Sequence, residues 1–178
     1  MVNLSVLRVI SKTHRNAAFA AALGLTALAI PSANAATTTA NMNVQLVVQA
    51  SCAISSVGTL DFGTATTPLT ANIDATTTFD VTCSNGTTYD IGLNAGTTAG
   101  GTVATRKMFN GGTAEDVDYT MWTNAARTTN WGNTVGTDTQ SATGSGSAQT
   151  YTVYGRVPPQ TTPTPATYTD TVTITVTY

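Results

Sequence analysis

The sequence holds one histidine and two cysteines in 178 residues, and charged side chains fill only 9% of its positions. The histidine, His14, lies close to the N-terminus, and Glu115 is the only glutamate. A chain without histidine beyond its first residues lacks the usual general base near neutral pH and the commonest metal ligand. No nucleophile, base and orienting group can be assembled from what remains, so neither an enzyme nor a bound cofactor or metal is expected. Basic residues are equally scarce: past residue 15 only Arg106, Lys107, Arg127 and Arg156 stand against all nine acidic residues. That balance excludes a nucleic-acid or anionic-lipid surface. Long apolar runs are missing beyond residue 30, so no later segment approaches the roughly 20 residues of a membrane-spanning helix. There is also no 3.6-residue apolar period, heptad or internal repeat.

What is present begins with a leader. Arg8, Lys12 and Arg15 form a basic region, Ala17 to Ile30 an apolar one, and Ala33-Asn34-Ala35 has the small-x-small form of a cleavage site. Residues 1–35 are therefore predicted to be a signal peptide that sends the chain into an oxidising compartment. Behind it, threonine makes up about a quarter of the residues, with Gly and Asn as punctuation, which favours strands and turns over helices.

Alternation marks the strands. Asn41 to Ala50 (NMNVQLVVQA) sets Met42, Val44, Leu46, Val48 and Ala50 on one face and Asn41, Asn43, Gln45, Val47 and Gln49 on the other. Such a strand cannot stay unpaired, and its partner lies either in its own domain or in another copy of the chain. Body strands are predicted over Ile54 to Phe62, kinked at Gly58, and over Ile73 to Cys83, followed by the Ser84-Asn85-Gly86 turn. Further strands are centred on Tyr89, Ile91 and Leu93, on Lys107 to Asn110, and on Val117, Tyr119 and Met121. Two more carry Tyr151, Val153, Gly155 and Val157, and then Val172, Ile174, Val176 and Tyr178. The polar stretch from Asn124 to Ser147 reads as an exposed loop with Trp131 tucked back on the body. About seven short strands separated by turn signals predict an antiparallel sandwich.

Some features have ordinary explanations. Glu115, Asp116 and Asp118 lack the spacing of a calcium loop and read as a solvated turn. Asn85-Gly86-Thr87 matches a glycosylation acceptor, but a turn explains it. Trp122, Trp131 and Tyr154 could stack on a sugar, yet single aromatics on a β-protein more often pack. The two cysteines of an exported chain predict a Cys52–Cys83 disulfide. It would anchor the root of the Asn41–Ala50 strand to the body.

The segments Gly58-Thr59-Leu60-Asp61-Phe62-Gly63, Tyr151-Thr152-Val153-Tyr154-Gly155-Arg156-Val157-Pro158 and Ala166-Thr167-Tyr168-Thr169-Asp170-Thr171-Val172, with the Thr-alternating end at Tyr178, resemble the spore coat U domain subunits of archaic chaperone-usher pili. They are similar to the major shaft pilins of Csu-type fibres. The resemblance runs from about Asn41 to Tyr178, with little family signal between Ala95 and Ser147. It implies an all-β, incomplete immunoglobulin-like antiparallel sandwich, completed by a donor strand from a neighbouring subunit. Residues 36–51 would be the donor segment and 52–178 the pilin domain. Met42, Val44, Leu46, Val48 and Ala50 would then enter a neighbour's groove, walled by Val172, Ile174, Val176 and Tyr178, the strand a periplasmic chaperone would also bind. The Asp170 side chain should interrupt that row, leaving the apolar slot to run from Val172 to the end.

The implied function is a structural subunit that forms a homopolymer through donor-strand exchange. It would pass through the periplasm and an outer-membrane usher into a surface fibre for adhesion and biofilm formation. Burial of Met42, Val44, Leu46 and Val48 at about 1.5–3 kcal/mol each would make such a joint slow to open. The competing readings are an outer-membrane β-barrel, which the Thr-rich and aromatic-poor strands disfavour, and a monomeric secreted carbohydrate-binding β-sandwich.

The disulfide reading is directly testable. Closing a loop of roughly 30 residues constrains the unfolded chain by about 3–4 kcal/mol. The double variant Cys52→Ser, Cys83→Ser is expected to give clearly less folded protein, measured as the soluble exported fraction; an equal yield would show the bridge to be dispensable.

Overall fold

Strand β2, Ile73–Cys83, shows how directly side-chain alternation builds this molecule. Phe79, Val81 and Cys83 point inward and are buried, while Asp74, Thr76 and Thr78 on the other face meet solvent. Ile73, Ala75 and Thr77 share the inward face but are only half covered. In β5, Asp116–Trp122, the same period buries Val117, Tyr119 and Met121. The computed structural model describes residues 34–112, 115–161 and 163–178, so nearly all of the leader lies outside the described residues.

Two antiparallel sheets result, with no helix among the described residues. Besides β2 and β5, the strands are β1 (Cys52–Ser55), β3 (Thr88–Leu93), β4 (Arg106–Phe109), β6 (Gln140–Thr143), β7 (Gln149–Val157) and β8 (Ile174–Thr177). The larger sheet has the order β1-β2-β7-β5-β4 and the smaller β6-β3-β8. Their inner faces enclose a core of Phe79, Val81, Tyr89, Ile91, Trp131 and Val153 with their neighbours. In the long β2·β7 ladder Phe79 lies opposite Tyr151, and the two rings stack at 5.8 Å. Cys52 and Cys83 face each other across the β1·β2 ladder and form the disulfide.

Chain contacts divide the molecule into Met1–Gln45 and Leu46–Tyr178. Of the first unit, residues 34–45 are described; they form no strand and are exposed. The second unit carries all eight strands.

Two expectations need correction. The strand expected over Ile54 to Phe62 stops at Ser55, because Ser56 takes the left-handed backbone conformation (φ 53°) and cannot continue a ladder. The chain then follows β2 loosely, held by the Gly58 N–H donating to the Thr78 carbonyl at 3.0 Å. The stretch from Asn124 to Ser147 is not merely an exposed loop, since it contributes β6, which pairs with β3, and makes the strand count eight. Strand β6 (QSAT) carries no apolar alternation; its one side chain packed on the core is Ala142. Within the same stretch Trp131 is fully buried, and its Nε1–H donates to the Ile91 carbonyl at 2.9 Å.

Among the described residues Arg106 is the one charged side chain of the core, and it has no exposure. Its guanidinium donates to four main-chain carbonyls: Asn94 (2.7 Å), Val103 (2.9 Å), Leu93 (2.9 Å) and Trp131 (2.7 Å). Burial lowers its pKa, opposed by the nearby Tyr119, Asp170 and Asp138. The fork of fixed donors ties the end of β3 at Leu93 and Asn94 to the chain at Val103 and Trp131, and its removal would strand several buried acceptors at about 1–3 kcal/mol each. Arg106→Leu should therefore lower stability by about 3 kcal/mol or more, read from the midpoint of urea unfolding, and Arg106→Lys should restore only part of it.

Candidate functional site

Strand β8 is the edge of the smaller sheet. It pairs with β3 on one side, with Ile174 opposite Leu93 and Val176 opposite Ile91, and among the described residues no strand pairs with its other side. Beside this edge the sandwich is open. A groove of about 720 Å³ runs between the segment 57–65 that follows β1 and the segment 163–174 that leads into β8. Its floor is core: Phe79, Leu93, Val117, Tyr119, Met121 and Val153. The half-covered residues Ile73 and Thr77 of β2 line it too, which explains why the inward face of that strand is only partly buried.

One wall is set by a glycine. A Cβ at Gly155 of β7 would come within 2.7 Å of Leu60 Cδ2 and 2.9 Å of Phe62 Cζ. Leu60 and Phe62 thus lie directly on the β7 backbone, and Phe62 meets Tyr119 edge-on at 6.1 Å. The opposite wall is tied down by Asp170. Its Oδ1 accepts from the backbone N–H groups of Thr97 (2.8 Å) and Thr98 (3.1 Å), and its Oδ2 accepts from the Tyr119 hydroxyl at 2.7 Å. Gly96 stands where any side chain would collide with that carboxylate. Burial pushes the Asp170 carboxyl up, but the Tyr119 hydroxyl and the N–H groups of Thr97, Thr171 and Thr98 together leave it below the ordinary 3.8. Burial and the Asp170 carboxylate both raise the pKa of Tyr119. The hydroxyl therefore stays a donor at any physiological pH.

Of the expected groove residues, Val172 and Ile174 line the opening, Val176 packs against the core and Tyr178 is 60% exposed. On this wall the lining extends from Ile174 back to Pro163. Asp170, expected to interrupt the apolar row, instead turns its carboxylate to the 97–98 loop and holds the wall. Met42, Val44, Leu46 and Val48 are 81–90% exposed, Ala50 is exposed as well, and none of them pairs with a strand. The solvated turn expected at Glu115, Asp116 and Asp118 is instead the start of β5, because Asp116 and Asp118 pair with β4, and all three carboxylates have partners: Lys107 Nζ reaches Asp118 at 2.8 Å and Asp116 at 3.5 Å, and Glu115 accepts from the Thr164 N–H at 2.7 Å. Leu60, Phe62, Met108 and Tyr168 were not anticipated as groove residues. Phe62 lies in a segment singled out by the resemblance, but nothing in its spacing marks it as a wall.

The sequence profile of the Spore Coat Protein U domain matches residues 38–175. Protein U of Myxococcus xanthus is 36% identical over 163 residues, which covers 85% of this chain and 90% of that protein. Among solved structures, a chain of the CsuC–CsuE chaperone-tip adhesion subunit pre-assembly complex, from archaic chaperone-usher Csu pili of Acinetobacter baumannii, is similar with a TM-score of 0.51. The identity is 24% over 74% of this chain, and the match spans 40% of the other chain's length. At that identity the likeness is one of fold.

The Asp170 anchor has a pH signature. Its carboxyl titrates below 3.8 when folded, so the folded state binds fewer protons than the unfolded one in that range. The stability it contributes is present above the unfolded value and is lost as pH falls through the folded one. Asp170→Asn should lower stability at pH 7 by about 1–2 kcal/mol and flatten the acid limb of a thermal-midpoint profile. It should not abolish that limb, because the Arg156 hydrogen bond also holds Asp74 low.

Proposed function

The chain belongs to the Spore Coat Protein U domain family, and on that premise we propose that it is an exported pilus subunit that polymerises through its own N-terminal segment. In this reading residues 1–35 are removed as a signal peptide, 36–51 are the donor segment and 52–178 form the pilin body. Met42, Val44, Leu46, Val48 and Ala50 of one copy enter the groove of the next. Before assembly, a periplasmic chaperone occupies the same opening along Val172, Ile174, Val176 and Tyr178. An outer-membrane usher then passes the growing homopolymer to the cell surface, where it serves adhesion and biofilm formation. The subunit acts as a structural and adhesive component and carries out no reaction.

One pairing of observations carries this reading. The chain exposes four large apolar side chains at every second position, and its body leaves one strand edge unpaired above an apolar groove. Each is unfavourable in water by itself. Adding a strand to β8 supplies ladder partners to the edge and covers both apolar surfaces at once. The solved structure of the same fold is a chaperone complex from pili, which supports a chaperone as the interim occupant.

The donor face is tested by charge placement. Leu46→Asp would bury an unpaired ion in the groove, which costs several kcal/mol. Gln45→Asp places the same charge on the other face. Electron microscopy of cells should show fibres lost in the first variant and retained in the second. Fibres of normal length from Leu46→Asp would remove the donor assignment.

A further inference from the structure

The point at which the proposed donor segment leaves the body is held by hydrogen bonds and a disulfide. Ser51 N–H donates to Ser84 Oγ at 3.1 Å, and Ser84 N–H donates back to the Ser51 carbonyl at 2.9 Å. The next residue, Cys52, is covalently bound to Cys83. The turn that receives these bonds is itself braced: Gly146 N–H donates to the Cys83 carbonyl at 3.1 Å and Gly86 N–H to the Gly144 carbonyl at 2.9 Å. Ser51 is therefore fixed by two hydrogen bonds and an adjacent disulfide. The last large apolar residue of the donor face, Val48, stands only three positions before it.

Between Val48 and Ser51 lie Gln49 and Ala50 alone. At about 3.3 Å per residue, Val48 and Ser51 can be separated by no more than about 10 Å. If Val48 is buried in a neighbour's groove, the body that carries Ser51 has no slack with which to stand away from that neighbour. The surface around the exit, Asn85, Gly86, Ser145 and Ser147, is exposed, uncharged and free of large side chains, so a second body can approach it closely.

We propose that this turn face abuts the mouth of the acceptor groove on the next copy, so that successive subunits form a stiff joint with no flexible spacer. The proposal rests on the donor-strand reading above and adds the body-to-body contact that reading does not require. The occupant of the face is a second copy of this chain. Rigidity follows because the clamp at Ser51 removes the freedom that an unstructured linker would leave between two folded bodies.

The test inserts Gly-Ser-Gly-Ser between Ala50 and Ser51 in the full chain, which leaves the donor residues and the clamp intact. The expected fibres assemble, their axial repeat lengthens by up to about 13 Å, and their persistence length in micrographs falls at least about threefold. Fibres with unchanged repeat and stiffness would overturn the proposal. In a second variant, Asn85→Trp, a bulky group is placed on an exposed turn. Fibre yield should drop while the amount of exported subunit stays the same, and normal fibres would also overturn the contact. Failure of the donor-strand reading itself would appear separately, as normal fibres from Leu46→Asp.

Discussion

Every part of this molecule answers to one constraint: a strand edge must be paired. Backbone N–H and C=O groups and the apolar side chains above them are costly to leave without partners, and a sheet that ends on a bare edge beside an apolar groove carries both costs together. Strand β8 ends the smaller sheet in this way, and the groove beside it reaches down to the core residues Phe79, Leu93 and Val153. The groove is thus not a pocket carved into a finished surface. It is the open side of the sandwich itself, and the half-covered inward residues of β2 mark its extent.

The open side nevertheless has a defined shape, because polar bonds hold its walls where packing cannot. Leu60 and Phe62 rest on the backbone of β7 at Gly155, where a Cβ would press on both side chains. Asp170 draws the 163–174 segment to the 97–98 loop through two backbone N–H groups and fixes the ring of Tyr119 in the floor. Arg106 gathers four carbonyls, from the end of β3 at Leu93 and Asn94 and from Val103 and Trp131. A groove supported in this manner keeps its shape while open; in the function proposed above, that lowers the ordering cost of binding a donor strand.

The same division between held and open parts separates body from tail. At Ser51 and Cys52 the chain passes within two residues from doubly bonded and disulfide-linked structure to an exposed segment without strand pairing. Met42, Val44, Leu46 and Val48 of the tail are exposed despite their apolar alternation. In the function proposed above, that face finds its cover in another copy of the chain.

Most body strands were legible before any coordinates, because a sandwich strand with one buried face must alternate: Ile73–Cys83 shows its full length in that pattern, and Val117, Tyr119 and Met121 or Tyr151, Val153 and Val157 theirs. The pairing of two cysteines followed from their number and the compartment. Strand β6 was invisible because its pairing rests on backbone bonds and one small alanine, which leave no periodic trace. The early end of β1 was hidden for a related reason, since a single residue in a left-handed conformation breaks a ladder without altering hydropathy. Asp170 read as an interruption in an apolar row, and only the folded chain brings Thr97, Thr98 and Tyr119 to it. The sequence by itself determined the alternating strands, the bridge and the apolar face of Asn41–Ala50, because these depend on local period and count. The groove, its walls and the clamp at Ser51 were decided by tertiary structure alone, because each depends on residues far apart in the chain, Leu60 with Gly155, Thr97 with Asp170 and Ser51 with Ser84, meeting in the fold.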